Sequence, residues 1–144
     1  MARRTVWLMC VMAVTAIAQE ETDTMIPAEK IPWAEEAPGQ PQRLGRLWGE
    51  RSEGPAGTLL RVPAGFVAPV HTHTADYRAV VIRGTWRHWY TEDKTDDAPP
   101  LEAGSYWTQR ANQWHADACI SDTPCIILLI NEDPYETVLK RAVP

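Results

Sequence analysis

The sequence predicts an all-β domain, a sandwich or closed barrel, and three observations carry that expectation. Short apolar or aromatic runs recur at 44–48, 57–62, 77–83, 85–90, 106–109, 114–119, 125–131 and 135–140. Turn-forming spacers lie between several of them, as Gly54-Pro55-Ala56-Gly57, Pro63-Ala64-Gly65 and Asp96-Asp97-Ala98-Pro99-Pro100. No long amphipathic helical pattern follows the first eighteen residues. Many short strands punctuated by turns must bury their apolar faces against one another, which a sandwich or barrel does.

At the N-terminus, Arg3 and Arg4 precede an apolar run from Val6 to Ala18 that ends in Ala16-Ile17-Ala18. A positive start, an apolar stretch and a small-x-small site predict an export signal over 1–18, with the mature chain beginning at Gln19 and residing in the periplasm or outside the cell. The run is shorter than the roughly 20 residues a membrane span needs. Cys10 sits inside it behind Trp7-Leu8-Met9 rather than small residues, unlike a lipid-anchored cysteine. No later segment is apolar enough to cross a bilayer. Residues 19–42 are rich in Pro and Glu without a sustained apolar period, so they read as a loosely packed arm with Trp33 as its anchor. Residues 43–144 then form one domain, since a chain of 144 residues suits a single core.

The net charge of -5 and the absence of a clustered basic stretch argue against nucleic acid as a partner. After signal removal, Cys119 and Cys125 remain as a pair, separated by Ile-Ser-Asp-Thr-Pro. An oxidising compartment permits a disulfide, expected across the neck of a hairpin and worth about 2–3 kcal/mol in the chain-entropy account. Thiolate ligation by Cys119 is the weaker reading, because it normally comes with further cysteines.

The chemistry concentrates at histidines. His71 and His73 alternate in an extended segment just after Pro69, so both rings project to one side. His115 lies in a second patterned segment beginning at Gly104. Three neutral imidazoles leaving open positions hold a divalent metal such as Fe, Mn, Ni or Zn. The bland readings are two solvated surface histidines and, for His115 between Trp114 and Ala116, a satisfied core residue. In 85–90, Trp86, His88 and Tyr90 share a face: turned inward, His88 is a proton carrier beside the metal, and otherwise it sits outside or in an aromatic core. Tyr106, Gln109, Arg110 and Gln113 lie on the approach to His115, where the planar fork of Arg110 suits a carboxylate. Trp48, Trp86, Trp89, Trp107 and Trp114 pack the interior or line an apolar cavity, and 126–130, apolar on both parities, reads as a strand covered on both faces.

The order Gly65, His71, His73, Tyr77 and Gly84 resembles the first motif of the cupin superfamily, with Tyr77 where that family usually has Glu. The second motif follows in outline through Gly104 and His115, with Arg110 where Pro is usual, Asn112 where Gly is usual and Cys119 where Asn is usual. The resemblance covers roughly 44–140 and is similar to small secreted bacterial cupins without assigned activity. It implies a jelly-roll β-barrel holding a metal inside one end, often in a homodimer, with His71, His73 and His115 as metal ligands. Without the usual Glu, three neutral ligands leave the metal's charge uncompensated and favour an anionic substrate or hydroxide. Tyr77 then coordinates or hydrogen-bonds a ligand, or simply packs, and Asp76 replaces the carboxylate only through a bulge that reverses strand parity. Tyr77, His88 and Arg110 are the candidate catalytic groups.

Three functions are compatible with these residues: a metal-dependent oxidation, lyase or isomerase enzyme acting on a small oxygen-rich or anionic substrate; a non-catalytic small-ligand module with a structural metal; and a partner-binding barrel. Mass spectrometry of the mature protein is expected to find Cys119 and Cys125 lighter by the two hydrogens lost on bridging. Complete alkylation without reductant contradicts the bridge.

Overall fold

The computed structural model describes residues 23–92 and 97–140; the export segment expected at 1–18 lies outside them. One turn of 3-10 helix, Ala28–Lys30, precedes ten strands: β1 (Trp33–Glu35), β2 (Arg43–Trp48), β3 (Ala56–Val62), β4 (His71–His73), β5 (Tyr77–Arg83), β6 (Trp86–Tyr90), β7 (Tyr106–Gln109), β8 (His115–Cys119), β9 (Cys125–Asn131) and β10 (Thr137–Leu139). They form a six-stranded sheet in the order β1-β2-β3-β9-β5-β7 and a four-stranded sheet in the order β10-β4-β8-β6. Every named pairing is antiparallel. The two sheets enclose a jelly-roll interior.

Alternation decides which side chains enter that interior. Cys125, Ile127, Leu129 and Asn131 of β9 are buried, while Ile126, Leu128 and Ile130 on its other face are half-buried. Between β3 and β5, β9 has both backbone edges paired, which suits a strand apolar on both parities. With Val62, Ala79, Val81 and Trp86 it builds the core.

Eight expected strands form within two residues of their anticipated ends, and two differences are informative. The arm read over 19–42 contributes β1, whose Trp33 lies opposite Gly45 and under the guanidinium of Arg61 at 4.5 Å. Three residues flanked by prolines give too short a pattern to read as a strand. Trp48 and Trp114, expected inside, are partly exposed, and Trp48 lies across Gly57 on the surface.

The Cys119–Cys125 disulfide forms, but its setting differs from the expected hairpin. Strands β8 and β9 belong to different sheets, so 120–124 carries the chain from one sheet to the other and the bridge staples the two layers. Gly84 is pressed against this staple. Its φ is +82°, and an added Cβ would meet Cys125 Sγ at 2.7 Å and Ser121 Oγ at 2.9 Å. Left-handed backbone and overpacking each cost about 1–3 kcal/mol. Gly84→Ala is therefore expected to lower the unfolding free energy by about 2–5 kcal/mol in urea titration, and an unchanged midpoint contradicts the close packing.

Candidate metal centre

Register brings the three histidines together. In the antiparallel pairing of β4 with β8, His71 stands directly opposite His115, and in that of β4 with β10, His73 stands opposite Thr137. One turn away, Asn112 adopts φ 60° and its N–H donates to the His73 carbonyl at 2.9 Å, joining the second motif to the first. Asparagine tolerates this left-handed conformation better than other non-glycine residues, so it serves where Gly is usual. All three rings are buried, and one nitrogen from each lies within 4.8 Å of the others, close enough to share an ion.

Neighbouring groups set the tautomers. Nδ1 of His71 lies 2.7 Å from the Pro69 carbonyl and Nδ1 of His115 lies 2.9 Å from the Gln113 carbonyl. A carbonyl only accepts, so both Nδ1 atoms carry the proton and each Nε2 turns a lone pair toward the pocket. His73 Nδ1 meets the Thr137 hydroxyl at 3.3 Å. Nε2 of His115 is buried without a hydrogen-bond partner, which is costly unless a cation takes the lone pair. Burial lowers the His115 pKa to about 4, and burial together with the neighbouring His71 and His115 lowers that of His73 to about 2. Protons are thus poor occupants of this space near neutrality. The donor set fits a borderline divalent cation.

The other sequence candidates have distinct places. Tyr77 projects from β5 into the same cavity, its ring 5.3 Å from that of His73, and its hydroxyl accepts a bond from Trp107 Nε1 at 3.3 Å. Burial, with the Asp117 charge and Tyr135 adding to it, raises its pKa well above the usual value, so it is a neutral phenol. His88 turns inward. Gln109 spends its amide N–H groups on the carbonyls of Arg110 and Gln113, so its oxygen accepts from His88 Nε2 at 3.0 Å, while His88 Nδ1 lies 2.7 Å from Asp117 Oδ1. Both nitrogens are engaged, and His88 sits behind Asp117 rather than at the cavity wall. Arg110 is exposed and lines a separate cleft in which none of the three histidines takes part. It follows Gln109 on a strand end where parity points it away. Asp76 accepts from the Ala111 N–H at 2.7 Å in that same cleft, and Cys119 is committed to its disulfide, so neither serves as a ligand.

Sequence reasoning missed three residues. Asp117 stands two positions after His115 on β8, the same parity that links His71 with His73, so the spacing itself carried the signal. Its carboxylate is buried, with Oδ1 accepting from Trp86 Nε1 at 3.1 Å and Oδ2 lying 3.5 Å from His71 Nε2 and 3.7 Å from His115 Nε2. Burial raises its pKa, but the His88 hydrogen bond and the nearby histidines outweigh that and hold it below the ordinary value. Arg51 and Tyr135 carried no local signal. Tyr135 stacks on His73 at 4.4 Å, and Arg51 lies over the Tyr135 ring at 4.5 Å, paired with Glu36 at 3.5 Å.

The cavity beside the histidines has a volume of about 90 Å³. Phe66, Trp86, Trp107, Ile127 and Leu129 give it apolar walls; His71, His73, Tyr77 and Asp117 form a polar end, and Arg51 and Glu36 are charged groups on its lining.

The family model for a domain of unknown function, DUF4437, matches residues 24–138. No curated protein matches the sequence. Among solved structures, an RmlC-like cupin from Ralstonia eutropha superposes with a TM-score of 0.60 at 23% identity, over 78% of this chain and 69% of that one. A sugar phosphate isomerase of the cupin superfamily from Silicibacter pomeroyi gives 0.64 at 15% identity, over 83% of each chain. The polyketide cyclase RemF from Streptomyces resistomycificus gives 0.66 at 12%, over 85% of this chain and 88% of that one. At such identities the likeness carries the cupin fold.

The lowered histidine pKa values set a direction for pH. Unfolded histidines take up protons below their usual value of 6.5, while His115 and His73 in the folded chain do so only near 4 and 2. Stability of metal-free protein is therefore complete above 6.5 and declines as pH falls below it, with Asp117 adding a loss in the same direction at lower pH. Urea unfolding of metal-free protein is expected to give a free energy lower at pH 5 than at pH 7 by about 2 kcal/mol per ring, and a flat profile contradicts the burial of neutral rings.

Proposed function

We propose that this chain, which belongs to the DUF4437 family, is a metal-dependent enzyme acting on a small oxygen-rich or anionic substrate, by dioxygenase, lyase or isomerase-type chemistry. The observation that carries this reading is the convergence of His71, His73 and His115 on one end of an apolar cavity, with the buried Nε2 of His115 left without a partner. These three residues would hold Fe, Mn, Ni or Zn. Such an ion supplies Lewis acidity toward a substrate oxygen.

The protein's own groups do the rest. A cavity of about 90 Å³ has the volume of only about three waters in the liquid, which limits the substrate to a small molecule. Apolar walls exclude water and strengthen the polar contacts made at the histidine end. Tyr77 accepts from Trp107, leaving its own O–H to donate to a bound oxygen. Arg51, held by Glu36 and by the ring of Tyr135, lines the same cavity and favours a negatively charged substrate group. Tyr77 serves as a neutral hydrogen-bond donor, with His88 acting through Asp117 as a positioning residue. Export fits the same reading, supported by the N-terminal pattern and by a disulfide of the kind oxidising compartments sustain.

Metal analysis tests the centre. Purified mature protein is expected to retain about one divalent ion per chain, and His71→Ala and His115→Ala to lose most of it while remaining folded by circular dichroism. Unchanged metal content in both variants sinks the site. Oxygen uptake and product formation are then followed with Fe- or Mn-loaded protein across small carboxylates, diketones and phenols. Turnover lost in Tyr77→Phe supports the enzyme, whereas saturable binding without turnover favours a non-catalytic ligand-binding module.

A further inference from the structure

Asp117 presents an arrangement that a purely structural carboxylate does not need. Its Oδ1 already has two donors, the indole N–H of Trp86 at 3.1 Å and His88 Nδ1 at 2.7 Å. Those two contacts fix the plane of the carboxylate. They also turn Oδ2 into the pocket, where it lies 3.5 Å from His71 Nε2 and 3.7 Å from His115 Nε2. Both nitrogens face it with lone pairs, because their Nδ1 protons are spent on the carbonyls of Pro69 and Gln113. A negative oxygen and two nitrogen lone pairs thus point at one another inside a buried space.

Such a grouping is repulsive unless a positive charge sits among its members. An ion held by three neutral imidazoles keeps its full charge in a low-dielectric interior, and the Tyr77 hydroxyl on the cavity wall is kept neutral by burial. Oδ2 supplies the missing anion without any change of strand parity, since Asp117 and His115 project from the same face of β8. His88 stands directly opposite Asp117 in the pairing of β6 with β8, and with Gln109 behind it the carboxylate is braced from the side remote from the histidines. This is the second layer that orients a metal-bound ligand.

We infer that Asp117 is a direct ligand through Oδ2, so that the centre is a three-histidine, one-carboxylate site and not a three-histidine site alone. The inference rests on the metal reading above and adds its anionic member. It also lowers the charge presented to substrate by the one negative charge of the carboxylate.

Cobalt(II) titration of metal-stripped protein separates this inference from its premise, using wild type, Asp117→Asn and His88→Gln. Wild type is expected to bind one Co²⁺ with a visible absorption band. Asp117→Asn, which keeps an oxygen for Trp86 and His88, is expected to weaken binding by more than about 100-fold and to shift the band, beyond the about 10–100-fold typical of outer-layer residues. His88→Gln is expected to leave the band in place and cost about 10-fold or less. Equal effects of the two variants, or an Asp117→Asn spectrum like wild type, overturn direct ligation while the three-histidine centre stands. Absence of Co²⁺ binding by wild type overturns the centre itself. Should Asp117→Asn fail to fold, anomalous diffraction from Co²⁺-loaded wild-type crystals decides: Oδ2 at about 2.0–2.2 Å from the ion supports ligation, and Oδ2 beyond hydrogen-bond distance refutes it.

Discussion

The structure turns on one electrostatic constraint: imidazole lone pairs and a carboxylate share a buried space at one end of a β-barrel. Groups of this kind are stable away from water only when each is oriented and each charge is balanced. The surroundings meet that requirement piece by piece. Backbone carbonyls of Pro69 and Gln113 fix the protons of His71 and His115, Thr137 meets His73, and Trp86 with His88 holds Asp117. What these contacts leave exposed to the pocket is electron density without protons, which is the condition for holding a cation.

Strand pairing makes this arrangement rigid. His71 and His115 are cross-strand neighbours, as are His73 with Thr137 and His88 with Asp117, so each ring is placed by a ladder rather than by a loop. Strand β8 is common to the first and third of these pairs. It carries His115 and Asp117 toward the pocket and ends at Cys119, whose bridge to β9 ties the small sheet to the large one. The packing of Gly84 against that bridge and the histidine chemistry at the other end are thus linked by five residues of one strand.

The cavity joins an apolar body to a polar end, which sets what it accepts. Aromatic and aliphatic walls favour an uncharged portion of a ligand, while the histidine end and Arg51 favour oxygen and negative charge. The stack of Arg51, Tyr135 and His73 couples the guanidinium to a ring of the centre, so a charged group bound at Arg51 sits within reach of it. Residues before β2 take part as well, since Glu36 and Gln42 line the cavity. The arm is therefore part of the site's wall and not only a lead into the domain.

Much of this was legible from local pattern. Alternation and turn residues marked most strands, the spacing of His71, His73 and His115 marked the centre, and two cysteines marked the bridge. The same parity rule applied to His115 would have found Asp117. Other features had no local trace. Trp33–Glu35 is too short and too proline-flanked to read as a strand until β2 pairs with it. Arg51 and Tyr135 are 84 residues apart and meet only through the fold. The disulfide looked like a hairpin clip because six residues separate the cysteines, yet the strands on either side pair with different neighbours.

Taken alone, the sequence determined the periodicities: which residues alternate, where the chain turns and which side chains are able to bind a metal. Those are properties of neighbours along the backbone. The tertiary structure decided the partners: that Asp117 joins the histidines, that His88 stands behind it, that Tyr77 is a neutral phenol in the cavity, and that Arg110 faces a different cleft. Each of these depends on sheet order and register, which bring together residues far apart in the chain and set the burial that fixes their charge.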